Sequence, residues 1–447
     1  MARRRRKSAK LSLNPIEVTV ESLSHEGRGI THIDDKVIFI DGALTGETVT
    51  FKYIGTHRNY DEGKVVEVVH PSSDRVEPHC EFFSICGGCS IQHMKSERQI
   101  EMKQEVLLNL FSRTSQIAPG NVLPALTADY WGYRTKARLG VKYVQKKERV
   151  LVGFREKHSP YLADMNRCEV LDARVGHKLQ TIANTISQLQ AYNKIAQIEV
   201  AITHDTVALI FRNLVELCEA DKQILVNLGV DENYDIYLQP GGPDSVHLIY
   251  PETSALFYKL PEYNLQINFL PTDFTQINTG INQKMIAQAL RLLDLTDQDV
   301  VLDLFCGLGN FSLPVATKAA YVVGVEGDEG LIERARINAV DNNISNTEFH
   351  VQDLTVDLSQ ADWVQRQYTK VLIDPARPGA LEMMDVVASM NVQRIVYVSC
   401  NPATLARDAG VLVNKHGYRL ESAGVMDMFP HTAHVESMAL FVKTEAK

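Results

Sequence analysis

Seven cysteines stand in a chain of 447 residues, and their spacing separates them into groups with different chemistry. Cys80, Cys86 and Cys89 fall within ten residues, as Cys80-x5-Cys86-Gly-Gly-Cys89, and Cys168 follows far downstream. Clustered thiols in a reducing compartment are poor disulfide candidates and good metal ligands; zinc and iron-sulfur both accept four cysteines, and spacing does not choose between them. Cys400 stands apart, in Tyr397-Val-Ser-Cys-Asn-Pro402. A free cysteine is more often a small buried hydrophobe than a nucleophile, and Cys218 and Cys306 are read that way. Cys400 is read as a nucleophile, because it ends a strand and precedes a helix start that favours thiolate. Glu436, in Phe429-Pro-His-Thr-Ala-His-Val-Glu436 just before the last strand, is the candidate base for such a site.

A second set of residues suits a nucleoside ligand. In Asp303-Leu-Phe-Cys-Gly-Leu-Gly-Asn-Phe311 a strand runs into a helix, and Gly307 and Gly309 allow a ligand close to the backbone. After the next strand comes Glu326, where an acidic residue meets a ribose hydroxyl in nucleotide-binding folds. A dinucleotide fingerprint wants a third glycine where this chain has Ser312, so nicotinamide binding is disfavoured. S-adenosylmethionine, which has no pyrophosphate, does not need that glycine. Asp353 closes the third strand, placed to accept from an adenine amino group. Asp374 closes the fourth, in Ile373-Asp-Pro-Ala-Arg-Pro378, where Pro375 stiffens the chain.

The elements that must position these residues come in three parts. From about 272 onward, apolar strands alternate with helices: 300–305, 321–325, 348–351, 370–373, 394–398 and 437–442, with a helical stretch at 331–340. This is the α/β pattern of a parallel sheet covered on both faces, with function at the carboxyl ends of its strands. From 16 to 69, short alternating strands (18–20, 37–40, 49–53, 64–69) break at Glu26-Gly-Arg-Gly29 and Asp41-Gly42, and a small closed barrel would hide their edges. Arg28, Lys52, His57 and Arg58 are its candidate RNA contacts. The middle part is less regular; strand-like pieces at 137–143 and 198–202 suggest a mixed sheet. The expected division is a barrel at 10–72, a central domain at 73–270 whose helical part near 93–125 packs on the catalytic domain, and a catalytic domain at 271–447.

Composition narrows the class without deciding it. The chain is 45% hydrophobic and 23% charged, ordinary for a soluble globular protein. No run approaches the ~18–20 apolar residues of a membrane helix, and the charged N-terminus has no apolar stretch behind it, so a cytoplasmic protein is expected. The net charge of -9 gives no global support for binding a polyanion. Residues 3–10, however, hold six Arg or Lys and no acid, an arm suited to phosphate contacts.

The combination of Asp374-Pro-Ala-Arg377, Ser399-Cys-Asn-Pro402 and His434-Val-Glu436 resembles the RNA 5-methyluridine methyltransferase family, and the likeness extends over essentially the whole chain. It implies a Rossmann-like class I methyltransferase domain, an N-terminal OB-like TRAM barrel, and a central domain with a 4Fe-4S cluster on Cys80, Cys86, Cys89 and Cys168. It further implies that Gln276, Phe305, Asn310, Glu326, Asp353 and Asp374 contact S-adenosylmethionine. Cys400 would be the nucleophile that adds to uracil carbon 6, and Glu436 the base that later takes the proton from carbon 5. Family members acting on transfer RNA typically lack the barrel and the cluster, so 23S ribosomal RNA is the expected substrate and a monomer the expected state. The alternatives are the same chemistry on transfer RNA, or a catalytically inactive RNA-binding assembly factor.

Overall fold

The computed structural model describes residues 14–356, 358 and 361–444; the basic arm at 3–10 lies outside them. The chain forms two compact units. Among the described residues, the first comprises those up to Phe83 with Gly88–Lys103 and His431–Ala433, and the second holds the others.

The first unit is built on six strands: β1 (Ile16–Thr19), β2 (Ser22–Leu23), β3 (Gly29–Ile33), β4 (Lys36–Asp41), β5 (Thr48–Thr56) and β6 (Tyr60–His70). Their order is β1-β5-β6-β4-β3-β2. Since β1 and β2 are nearly continuous in sequence yet stand at opposite ends of that order, the sheet curls back on itself. Val20 N donates to Glu47 O and Glu21 N to Ile30 O at the bend, both at 2.8 Å. Closure removes the edges that six short strands would otherwise expose. Alternation sends Ile38, Ile40, Val49 and Phe51 inward with Val20 and Ala43. Gly63 makes room for one of them: a Cβ there would meet the Phe51 ring at 2.4 Å.

Helix α1 (Ser96–Leu110), whose first half belongs to the first unit, leads into the second. There β7 (Asn121–Val122), β8 (Lys136–Val144) and β9 (Arg149–Gly153) precede α2 (Ala173–Gly176) and α3 (Leu179–Ser187). Next come β10 (Ile195–Ile202), β11 (Val207–Asn213), α4 (Glu219–Glu232), β12 (Asp235–Leu238) and β13 (His247–Tyr250). A mixed six-stranded sheet runs β13-β12-β11-β10-β8-β9, in which only β11 and β12 pair in parallel. The hairpin β14 (Phe257–Leu260) and β15 (Leu265–Asn268) follows.

The remaining elements are α5 (Thr279–Leu293), β16 (Val300–Leu304), α6 (Ser312–Ala316), β17 (Tyr321–Glu326), α7 (Glu329–Asp341), β18 (Thr347–Val351) and β19 (Lys370–Ile373). They continue with α8 (Leu381–Ser389), β20 (Arg394–Ser399), α9 (Pro402–His416), β21 (Tyr418–Met426) and β22 (Glu436–Lys443). The eight-stranded sheet they form runs β18-β17-β16-β19-β20-β22-β21-β7. From β18 to β20 it is parallel, and β16, β17, β19 and β20 are almost wholly buried, as continuous Val/Ile/Leu runs require when both faces are covered. β22 enters antiparallel between β20 and β21. That reversal brings the beginning of β22 beside the end of β20.

Candidate active site

The reversal decides the geometry of the site. Ser399 pairs with Ser437 across β20 and β22, and Ser437 Oγ donates to Ser399 O at 3.2 Å. Cys400 directly follows the last paired residue of β20, and Glu436 is the first residue of β22, directly before Ser437. The thiol and the carboxylate thus stand at neighbouring strand ends, close enough for Glu436 to act on the Cys400 thiol. Glu436 is buried, 7% exposed, while Cys400 is half-buried.

Helix α9 begins directly after the thiol. Asn401 caps it, accepting from Ala403 N at 3.2 Å, and Pro402 stands at the first helical position, where its missing N–H costs nothing. The helix start does not by itself set the ionisation of this thiol. Burial, then Glu436, then Asp374 push the Cys400 thiol up to about 11, with Arg377 pulling the other way.

Asp374 sits at the end of β19, where burial pushes its carboxyl up to about 7. Beyond it the 376–380 loop carries Arg377, whose guanidinium lies 3.3 Å from His434 Nδ1. Gln276 and its neighbours precede α5, which Asn278 caps by accepting from Ile281 N. Gln276 is itself half-buried, and the nearby Phe274 is 69% exposed.

At the glycine turn, Phe305 adopts φ +64°, a left-handed conformation that costs a non-glycine residue ~1 kcal/mol or more. Its N–H is fixed to Val325 O at 2.8 Å. Gly307, φ +54°, has open space where a Cβ would stand. Glu326 faces that space: its carboxylate accepts from Gly307 N at 3.2 Å, Gly327 N at 2.7 Å and Asp328 N at 3.3 Å. The Asn310 amide is largely engaged, since Asn282 bonds it reciprocally at 2.9 and 3.0 Å and Tyr258 Oη donates to its oxygen at 2.7 Å. Asp353, an exposed residue, accepts from Thr355 Oγ1 and N with one oxygen, which lowers its pKa. Asp303, which sequence reading passed over, is fully buried under this turn; burial pushes it up to about 7 while Ser312 Oγ donates to it. The serine that replaces the third glycine thus anchors the turn from below.

Residues 96–444 match the family described as tRNA (Uracil-5-)-methyltransferase. The chain belongs to that family. Residues 15–66, which contain most of the six-stranded barrel, match the TRAM domain. A protein of Alkalilimnicola ehrlichii named 23S rRNA (uracil(1939)-C(5))-methyltransferase RlmD is 51% identical over 99% of this chain and 99% of its own length. Its namesake in Methylococcus capsulatus is 49% identical over 98% and 99%. Among solved structures, Pyrococcus abyssi tRNA (uracil-54, C5)-methyltransferase, in complex with S-adenosyl-L-homocysteine, superimposes with a TM-score of 0.73. It covers 96% of this chain and 100% of its own at 21% identity, which bears on the fold alone.

In this uracil-5-methyltransferase the four cysteines of the spaced set are all buried and none forms a disulfide. Cys80 and Cys89 belong to the first unit and Cys86 and Cys168 to the second. Among the described residues, no group of three or more His, Cys, Asp or Glu forms a metal-binding cluster. Of the other two, Cys306 is buried as expected. Cys218 is not: it is exposed at the cap position of α4, where a chain end of the helix meets solvent. On the barrel, Arg28 is bound by Glu62 at 2.9 Å and by Glu26, so its charge is already paired. His57 also meets Glu62, at 3.2 Å, whereas Lys52 and Arg58 are exposed.

Proposed function

We propose that this chain is an S-adenosylmethionine-dependent methyltransferase that modifies carbon 5 of a specific uridine in 23S ribosomal RNA. The observation that carries the chemistry is the antiparallel pairing of β20 and β22, which brings the strand end before Cys400 beside the strand start at Glu436. Uracil carbon 5 is too weakly nucleophilic to accept a methyl group unaided. The Cys400 thiolate adds to carbon 6, forming the S–C6 bond and moving an electron pair into an enolate across carbons 5 and 4. S-adenosylmethionine, when bound, supplies an electrophilic methyl group for carbon 5. The Glu436 carboxylate then removes the carbon-5 proton, the electron pair returns to the ring, and the S–C6 bond breaks.

For the cofactor, Glu326 is aimed by three backbone donors to take a ribose hydroxyl, and the space beside Gly307 suits a ligand against the backbone. Phe305, Asn310, Asp353, Asp374 and Gln276 complete the proposed shell. Asn310 serves chiefly by shaping it, given how much of its amide is occupied. Phe274, exposed beside Gln276, offers an aromatic face to a flipped base.

The substrate reading rests on the full-length relatives named for 23S RNA. Possession of the barrel is a weaker argument than it first seems, because the solved Pyrococcus tRNA enzyme covers 96% of this chain. In this reading residues 10–72 and 73–270 serve RNA binding and structure, and 271–447 the chemistry, in a monomer working in the cytoplasm. No helix among the described residues is long and apolar enough to cross a membrane. Four buried, unoxidised thiols have the donor chemistry of a 4Fe-4S site. We assign Cys80, Cys86, Cys89 and Cys168 to that cluster in a structural or RNA-binding role. Methylation mapping of RNA from a deletion strain tests the substrate: loss of one 5-methyluridine in 23S RNA is expected, and loss confined to transfer RNA would refute it.

A further inference from the structure

We propose that Asp408 is a positioning residue for this reaction: its buried carboxylate buckles the 377–380 loop to the helix behind Cys400 and holds the Arg377 guanidinium against the thiol. Asp408 lies on α9 with no exposed surface. A carboxylate is costly to bury unless donors surround it, and well-packed apolar residues often serve stability as well as a buried ion pair does. The question is what its donors connect.

They come from the elements that frame the nucleophile. Tyr397 Oη, three residues before Cys400 on β20, donates to Asp408 Oδ2 at 2.7 Å. Ala380 N, three residues after Arg377, donates to the same oxygen at 2.8 Å. Arg407 Nε donates to Oδ1 at 2.7 Å, and its Nη2 reaches Pro378 O at 2.9 Å. The first turn of α9 adds a further hold on the loop, since Asn401 Nδ2 and Thr404 Oγ1 both donate to Arg377 O, at 3.0 and 3.3 Å. The loop can lie this close only because residue 379 is glycine. Its φ is +81°, and a Cβ there would stand 2.7 Å from Asp408 Oδ2.

The backbone from Arg377 to Ala380 is therefore fixed to the helix that starts at the nucleophile. This matters because the other charged groups facing the thiol oppose its ionisation: Glu436 from β22 and Asp374 from β19. Arg377, with His434 beside it, is the cation that offsets them. Arg377 is itself exposed, so its influence on the thiol depends on where the loop holds it and would weaken if the loop were released. Tyr397, held protonated by burial and by Asp408 itself, remains a donor and brings no competing charge.

The inference rests on Cys400 being the nucleophile, and its test reads the thiol directly. Asp408→Asn and Tyr397→Phe, both near-isosteric, are made in the full chain, and iodoacetamide modification of the Cys400 peptide is followed by mass spectrometry from neutral to alkaline pH. Peptide resolution separates this thiol from exposed Cys218. Both variants should move the alkylation profile to higher pH, slowing modification roughly three- to tenfold at mildly alkaline pH. Arg377→Gln should do the same, and adding Asp408→Asn to it should change little further, as expected of residues acting through one another. Variants that melt earlier while keeping the wild-type alkylation profile would overturn the proposal, as would additive effects of Arg377→Gln and Asp408→Asn. Methyl transfer retained by Cys400→Ala would instead defeat the nucleophile assignment, a separate outcome.

Discussion

A thiol pushed up to about 11 is a poor nucleophile at neutral pH, and the residue most responsible after burial is the proposed base. Glu436→Gln removes that anion, so Cys400 in the free protein should become easier to ionise. Its alkylation at fixed pH near 8 should accelerate a fewfold, by up to about tenfold per unit of pKa; an unchanged or slower rate would contradict the electrostatics. Asp374 gives a second signature. Its folded pKa of about 7 lies above the ordinary value of 3.8. The stability it contributes is therefore complete below about pH 4 and lost as pH rises through about 7. Cofactor-free Asp374→Asn should melt higher than the parent at pH 8, with the difference shrinking by pH 5; a constant difference would show that burial of the charge is not the cause. Residue types and strand ends were enough to nominate Cys400 and Glu436 from the sequence. Arg377 was visible only as part of a motif, and Asp408 not at all, because one acid on a helix carries no sign of what it bonds.

The elements around the cofactor site were readable where burial on both faces forces unbroken apolar runs, as in β16, β17, β19 and β20. β3 was missed because it starts at Gly29, inside a cluster of turn residues. β21, Tyr418-Arg-Leu-Glu-Ser-Ala-Gly-Val-Met426, neither alternates nor runs apolar throughout, and a bulge between Leu420 and Ser422 breaks its period. The order of the last two strands is a matter of pairing, which local pattern does not encode, and so the nearness of the end of β20 to the start of β22 had to come from the structure. Packing at β17 is equally tight. A Cβ on Gly324 would meet the Phe349 ring at 2.6 Å and Cys306 Sγ at 2.9 Å. Gly324→Ala should destabilise by ~1–3 kcal/mol, read as a lower denaturation midpoint, and an unchanged midpoint would mean that the sheet yields more readily than its burial implies.

For the whole molecule, a net charge of -9 must coexist with an RNA substrate. Arg28 is neutralised by its acidic neighbours, which leaves less free positive charge on the barrel than its sequence suggests. Local basic segments should therefore carry the electrostatic part of binding. Removing residues 3–10 should flatten the dependence of RNA affinity on salt; an unaltered slope would exclude the arm from phosphate contact. Anaerobically purified protein should hold iron and sulfide in equal amounts, both lost on Cys89→Ser, whereas zinc alone would overturn the cluster assignment. The central claim is most directly tested with Glu436→Gln, S-adenosylmethionine and a 23S RNA fragment containing the target uridine. Mass spectrometry should find methylated RNA joined covalently to the Cys400 peptide, because addition and methyl transfer proceed while elimination stalls. Full turnover by Cys400→Ala, or turnover by Glu436→Gln with no adduct, would contradict it.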